Sequence, residues 1–393
     1  MTKPFFERKR EWSRWKHGLL KRYLGQFSGI VGSKHQTVYY VDGFAGEGLY
    51  KDPPEDGSPM IAAKIAADVA ARGRNFTLRC INIEPDGYDQ LCASTAAFGP
   101  SIVENRRGTF ADNLDYVLAT IGKKDPALFF LDPCGHKGME WDVVLRIVER
   151  AQTAITEVLL NFYITKIDVH AGYLHSTEKQ ARKFVEGLDA LFGTDEWRPI
   201  IEGTTDKERR MLLLTDLYMG RLSKAFAAAS SRHGITARYA VKTIDGKLKY
   251  FIVYGTRHPR GARAMSEAVY RVTMEYEDAQ VAATQAALDS ALQRPLFSAD
   301  SRSTQDEIDA SIVRDLIPAI LALPSKHRRF KLADLEEALL GEWFGRTVEK
   351  HLRRACVQLI EEKKARIINP VQLESTKRRS GIVIGADTLI ALL

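Results

Sequence analysis

The chain has 393 residues, 45% hydrophobic and 27% charged, with a net charge of +7. That is ordinary globular composition, long enough for two domains and for a core without staples, and its basic balance suits an anionic partner. The four cysteines (Cys80, Cys92, Cys134, Cys356) form no CxxC or zinc spacing, and no apolar run reaches about 18 residues. A disulfide framework, a metal site, a secretory signal and a membrane partner are therefore not expected, and the localisation expected is cytoplasmic.

The chain opens with a basic segment, expected to form a helix within residues 1–30. Residues 1–22 carry eight Lys/Arg against two Glu, and Phe5, Phe6, Trp12, Trp15 and Tyr23 are interleaved. Basic residues beside rings suit nucleic acid. The same spacing also suits an amphipathic helix that packs Trp12, Trp15, Leu19 and Tyr23 on the domain.

Strand-like and helix-like segments then alternate. TVYYVDGF (37–44) is an apolar strand ending in a glycine-rich turn, and SPMIAAKIAADVAARG (58–73) is a helix with Ser58 near its start. FTLRCINIE (76–84), SIVENRRG (101–108), ALFFLDP (127–133) and AITEVLLNFYI (154–164) read as further strands, each followed by a helical stretch. That rhythm predicts an α/β fold, a parallel sheet with helices on both faces. Residues 165–233 break the rhythm with a helical insertion that either caps a substrate site or buttresses the sheet. Residues 237–245 and 249–256 then form a hairpin about Gly246-Lys247.

The domain expected over 1–292 is followed by a polar linker at 293–307 and a separate unit at 308–393. That unit shows three helical segments (308–323, 331–340 and 345–365), then RIINP (366–370) and IVIGA (382–386) as a ribbon with a basic tip. Three helices and a β-wing predict a winged helix-turn-helix, whose third helix enters the major groove. Arg346, Lys350, Arg353 and Arg354 are then expected on the third helix, and Lys377, Arg378 and Arg379 on the wing. Protein contact or dimerisation is the other use of such a domain. Residues 346–379 hold ten Lys/Arg against four Glu, in keeping with a phosphate surface.

The chemical signal is strongest at Asp42-Gly43-Phe44-Ala45-Gly46-Glu47-Gly48, where an apolar strand runs into an acid and a Gly-x-Gly turn. The next strand ends in Glu84, placed to accept hydrogen bonds from ribose hydroxyls. The fourth strand ends in Leu131-Asp132-Pro133-Cys134-Gly135. These features in this order, with the closing hairpin, resemble class I S-adenosylmethionine-dependent methyltransferases over roughly residues 35–258. The resemblance implies a Rossmann-like seven-stranded sheet whose last strand is antiparallel.

More narrowly, the chain resembles the three-Cys-motif partner family (TcmP). The resemblance rests on Trp15-Lys16-His17-Gly18-Leu19-Leu20-Lys21-Arg22-Tyr23-Leu24, the FAGEG turn, Leu131 to Gly138, and His258-Pro259-Arg260-Gly261 followed by a helix containing Met265. It implies a methyltransferase-like protein of nucleic-acid or phage-linked modification, encoded beside a radical S-adenosylmethionine enzyme. Cys134 stands where an aromatic is usual in that family.

The methyltransferase resemblance implies roles for particular residues. Asp42, Phe44 and the Gly46–Gly48 turn would hold the methionine end of S-adenosylmethionine, Glu84 its ribose, and Thr109 and Phe110 its adenine. Asp132 would orient an attacking amine, as the acid before Pro-Pro-Tyr does in amino-methyltransferases. Here the second proline and the aromatic are missing, and Phe162, Tyr163 or His136 would substitute. Cytosine-C5 enzymes offer a sharper echo, with DxFAGxG and a Pro-Cys whose thiolate attacks the base, which would make Cys134 a nucleophile. Their Glu-Asn-Val after the next strand is absent here.

Two functions follow: a methyltransferase acting on nucleic acid, DNA favoured over RNA, or a non-catalytic nucleic-acid-binding partner of a radical S-adenosylmethionine enzyme.

Overall fold

The computed structural model describes residues 11–51, 54–133, 135, 137–229, 234–243, 246–292, 305–324, 327–368, 382, 384–385 and 387–393. The chain divides into two compact units, Met1–Ala264 and Met265–Leu393.

The first unit begins with α1 (Glu11–Gly32), β1 (Thr37–Asp42), a short hairpin of β2 (Leu49–Lys51) and β3 (Pro54–Asp56), and α2 (Ser58–Ala71). It continues with β4 (Thr77–Glu84), α3 (Tyr88–Thr95), β5 (Val103–Arg107), α4 (Phe110–Thr120), β6 (Ala127–Leu131), α5 (Trp141–Glu149) and β7 (Thr156–Phe162). The helical insertion is α6 (Ile164–Ala171), α7 (Lys179–Phe192), α8 (Trp197–Gly203) and α9 (Lys207–Ala228). Then come β8 (Ile235–Lys242), β9 (Leu248–Thr256) and α10 (Pro259–Leu292), whose C-terminal part belongs to the second unit.

Seven strands form one sheet in the order β5-β4-β1-β6-β7-β9-β8. β1, β4, β5, β6 and β7 are parallel, and β9 runs antiparallel to both β7 and β8. This is the Rossmann-like methyltransferase sheet expected from the sequence. Strands β6 and β7 are buried along their whole length, which is why they read as continuous apolar runs. Each fully buried phenylalanine there contributes roughly 1.5–3 kcal/mol.

Side chains alternate across a strand with period two. Tyr39, Val41, Ile81, Ile83, Phe129, Leu131, Val158, Leu160 and Phe162 share one core with α4, α5 and α9. The intervening positions Tyr40, Asp42, Asn82, Glu84, Glu157 and Asn161 therefore lie on the other face, where α1 packs with α2 and β1. The insertion does not sit over the strand ends as a whole: α9 packs along α5, β8 and β9, so this helix buttresses the sheet.

On α1, Trp15, Leu19 and Tyr23 are buried as the amphipathic reading predicts. Trp15 stacks on Tyr239 of β8, with ring centroids 5.0 Å apart. The rings of Trp15 and Tyr23 are spent on packing. Phe5, Phe6 and the Trp12 side chain lie outside the described residues.

The second unit contains α11 (Gln305–Leu321), β10 (Arg329–Phe330), α12 (Leu332–Trp343), α13 (Glu349–Glu361), β11 (Ala365–Ile367) and β12 (Ile390–Leu392). Its three strands form an antiparallel sheet in the order β10-β12-β11. Leu316, Ile320, Phe330, Leu335, Leu352, Cys356, Leu359 and Ile390 make its core. Two expectations need correction. The third helix starts at Glu349, not 345, because Gly345 takes φ 70 and Val348 caps the helix in extended conformation. Among the described residues, the partner of β11 is Ile390–Leu392 and not residues 382–386; the ladder runs on from there through the Ile368 amide to the Leu389 carbonyl. Lys377, Arg378 and Arg379 lie outside the described residues. Among the described residues, no helix is long and apolar enough to cross a membrane.

Candidate functional site

The strand order reverses between β4-β1 and β6-β7, so the crevice at the carboxyl ends of β1 and β6 is where such a sheet binds ligand. Asp42 ends β1 opposite Phe130, two residues before Asp132. Asp42 is fully buried. It accepts hydrogen bonds from the Tyr40 hydroxyl at 2.9 Å and from the Phe44 amide at 3.2 Å. Burial pushes its carboxyl up to about 6, hydrogen bonds from Ser58, Tyr40 and Phe44 pull it down, and the charge of Asp132 pushes it up again.

The glycine-rich turn is wired into the next strand. Glu84 accepts the amides of Gly46 at 2.9 Å, Asp86 at 3.0 Å and Gly87 at 2.9 Å. Three of the roughly four acceptor positions of that carboxylate are therefore occupied by backbone. Gly48 adopts φ +83, and a Cβ there would lie 2.5 Å from Ser94 Oγ. Only glycine allows the turn to seat on α3. Phe44 reaches across to the loop after β6, where a Cβ on Gly138 would meet its ring at 2.8 Å.

Asp132 is held from two sides. Lys16 of α1 forms a partly buried ion pair with it, and the Asn161 side-chain amide of β7 donates to its other oxygen. Lys16 and Asn161 are both buried. The Asn161 Oδ1 atom is also buried and has no hydrogen-bond partner among the described residues. A buried orphan acceptor is costly and rare in folded proteins, and a donor hydrogen from a bound molecule satisfies it.

The structure thus brings Asp42, Glu84 and Asp132 to one end and one face of the sheet, with Phe44 beside them. Thr109 caps α4, accepting the Asp112 amide at 3.2 Å, and Phe110 is buried beneath Gly43, where a Cβ would lie 3.1 Å from its ring. Cys134 and His136 lie outside the described residues. Of the proposed base platforms, Phe162 is fully buried in the core, whereas Tyr163 is half-buried and packs on Tyr250 at 5.5 Å between centroids. Among the described residues, no cluster of His, Cys, Asp and Glu is placed to hold a metal ion.

Lys16 and Asn161 were not singled out as site residues from sequence. The available signal was a polar residue inside an apolar strand for Asn161, since such a residue is rarely buried without a partner. Lys16 was one of eight cations and looked like surface.

The third helix of the second unit is more internally paired than expected. Arg346 was expected on this helix but lies in the turn before it, because Gly345 takes φ 70 and Val348 is the cap. Arg346, Lys350 and Arg354 are exposed, but Arg353 is half-buried. Arg353 donates to Glu349 at 2.8 Å and to the carbonyl of Ile384, which draws it off the surface. Lys350 and Arg354 both reach Asp309 of α11, at 2.7 and 3.2 Å. Asp309 also accepts from the buried His351 at 3.0 Å. Burial pushes the Asp309 carboxyl up, but hydrogen bonds from Lys350, His351 and Gln305 outweigh it and hold it at about 2.

No family model matches the chain, and no curated protein does. Solved structures similar to it include a Legionella pneumophila protein of family model DUF519, with 12% identity and TM-score 0.37, over 68% of this chain and 92% of that one. WbdD aligns at 12% identity and TM-score 0.31, over 62% of this chain and 39% of its own. A protein assigned as an O-methyltransferase from Nostoc punctiforme aligns at 11% identity and TM-score 0.24, over 62% and 60%. It is the strand order, read directly from the pairing, that identifies the fold as methyltransferase-like.

Proposed function

We propose that the chain is an S-adenosylmethionine-dependent methyltransferase acting on an amine of nucleic acid, with DNA favoured. The observation that carries this reading is the Asp132–Asn161 pair at the strand-order reversal, with the Asn161 Oδ1 acceptor buried and unpaired among the described residues. Two acceptor groups side by side suit a ligand amine, which brings donor hydrogens.

The residues present fit the cofactor. Asp42, Glu84 and the Gly46–Gly48 turn sit where its amine, ribose and methionine chain would lie in such a sheet. When bound, S-adenosylmethionine supplies an electrophilic sulfonium methyl. Asp132 accepts hydrogen bonds from the acceptor amine and fixes the direction of its lone pair. Lys16 and Asn161 hold Asp132 in place, so orientation is set before the substrate arrives. A base from a duplex has to be flipped out to reach this crevice.

The order helix, strand, helix, helix, strand, strand in the second unit supports a winged helix-turn-helix that holds the polymer, with α13 presenting Lys350 and Arg354 and the turn before it presenting Arg346. A second reading is the TcmP-like one, a non-catalytic partner of a radical S-adenosylmethionine enzyme. The aromatic and second proline missing after Pro133 favour it, because a base platform is not evident there.

Transfer of tritium from methyl-labelled S-adenosylmethionine to duplex DNA, single-stranded DNA and RNA tests the enzyme reading. Label on one polymer that Asp132→Ala abolishes supports it. Cofactor binding with no label on any polymer favours the partner reading.

A further inference from the structure

Glu157 lies at the opposite end of the sheet from Asp42 and Asp132. It is the second residue of β7 and is 2% exposed. Its hydrogen-bond partners are the neutral hydroxyls of Tyr23, Tyr254 and Thr256, the last at 3.2 Å. The Tyr23 and Tyr254 hydroxyls are 2.9 Å apart. The start of α10 closes on the same carboxylate, because a Cβ on Gly261 would lie 2.2 Å from Glu157 Oε1. No ion pair to Glu157 occurs among the described residues. Burial pushes its carboxyl up to about 7, and hydrogen bonds from the three hydroxyls offset this only in part. A buried carboxylate with neutral partners alone lacks the counter-charge that its ionised form requires.

Glu157 and Tyr23 line a cavity of about 160 Å³, together with Phe27, Ile30, Val31 and Ile155. Lys34 and Arg260 also line it, and both are exposed. The cavity therefore has a buried acidic part, an apolar wall and exposed cations. A cation alone would be repelled at the exposed side, and an anion alone would face Glu157. The volume is that of roughly five waters, at a share of about 30 Å³ each. That suits a molecule the size of an amino acid and is too small for a nucleotide.

We propose that this cavity binds a small zwitterion of the α-amino-acid type, its ammonium on Glu157 and its carboxylate on Lys34 and Arg260. The apolar body of the ligand packs on Phe27, Ile30, Val31 and Ile155. Charge-assisted hydrogen bonds to the adjacent ammonium and carboxylate set the orientation. The site stands apart from the proposed cofactor site, so neither assignment depends on the other.

Calorimetric titration of the full chain with L-leucine, isoamylamine and 4-methylpentanoate tests the proposal, because the second and third probes each lack one charge. Leucine is expected to bind saturably and more tightly than either. Glu157→Gln is expected to weaken leucine by at least about tenfold. Arg260→Ala, at an exposed position, is expected to weaken leucine and leave isoamylamine unchanged, and it carries the test if Glu157→Gln fails to fold. No saturable binding by any probe overturns the proposal. So does 4-methylpentanoate binding as tightly as leucine, or leucine affinity unchanged by Arg260→Ala.

Discussion

Lys16 of the first helix and Asp132 after the fourth parallel strand, 116 positions apart in the chain, form an ion pair at the carboxyl end of the sheet. Their side chains are 8% and 17% exposed, so water replaces a lost partner only in part. Lys16→Ala is expected to lower stability by about 2–3 kcal/mol in urea unfolding, because it strands a carboxylate in a partly buried site. If the pair positions Asp132 for transfer, the same variant also lowers the methyl-transfer rate by at least about 100-fold. A loss of stability with the rate per folded molecule unchanged would make the pair structural only.

The two buried carboxyls give the protein an unusual response to acid. Asp42 and Glu157 hold their protons up to about 6 and about 7, against 3.8 and 4.5 for the free groups. Between the free and the folded values, the native state binds more protons than the unfolded chain, so stability falls as pH rises. Each group contributes about 3 kcal/mol of stability at low pH, lost from about pH 4 to about pH 6–7. Thermal unfolding of the wild type against Asp42→Asn and Glu157→Gln checks this, and each variant is expected to flatten the slope in its own window. Identical pH slopes in all three would contradict the assignment.

Gly48 tests the turn separately from its chemistry. At φ +83, and with Ser94 Oγ 2.5 Å from where a Cβ would stand, Gly48→Ala meets both strain and a clash. The expected loss is about 1–3 kcal/mol, measured as a lower urea midpoint with an unchanged slope. Adding Ser94→Gly relieves the clash but not the strain, and is expected to recover part of the loss.

If α13 and the turn before it bind the polymer, DNA binding weakens with salt in proportion to the phosphates contacted. Arg346→Ala is expected to reduce the salt slope by about 1 and to weaken binding equally across sequences. Lys350 and Arg354 already share Asp309, so phosphate must compete for them and their substitution is expected to matter less. Fluorescence anisotropy of labelled duplexes over a salt series reads both. An Arg346→Ala slope equal to wild type would remove the turn before α13 from the interface.

The parallel order of strands was legible because apolar runs such as TVYYV and ALFFL end at acids, Asp42 and Asp132, and those ends mark the crevice. Asp42, Glu84 and Asp132 were legible for the same reason. Lys16 was not, because its role depends on a partner far along the chain, and a lysine in a basic helix looks like surface. Glu157 was hidden in the opposite way. Its strand reads as core, and only the approach of Tyr23, Tyr254 and Gly261 from three other elements shows a cluster there. The β-ribbon was misplaced because Ile382 and Ile384 alternate as well as Ile390 and Leu392 do, and Ile384 is buried in the same core, so the apolar pattern alone does not choose the pairing.

The most direct measurement is isothermal titration of S-adenosylmethionine, and of its demethylated product, into the full chain beside Asp42→Ala. Saturable binding of both by the wild type is expected, and none by Asp42→Ala in a variant that still folds. Absence of binding to the wild type, or affinity unchanged by Asp42→Ala, would contradict the cofactor site at the end of β1 and with it the methyltransferase reading.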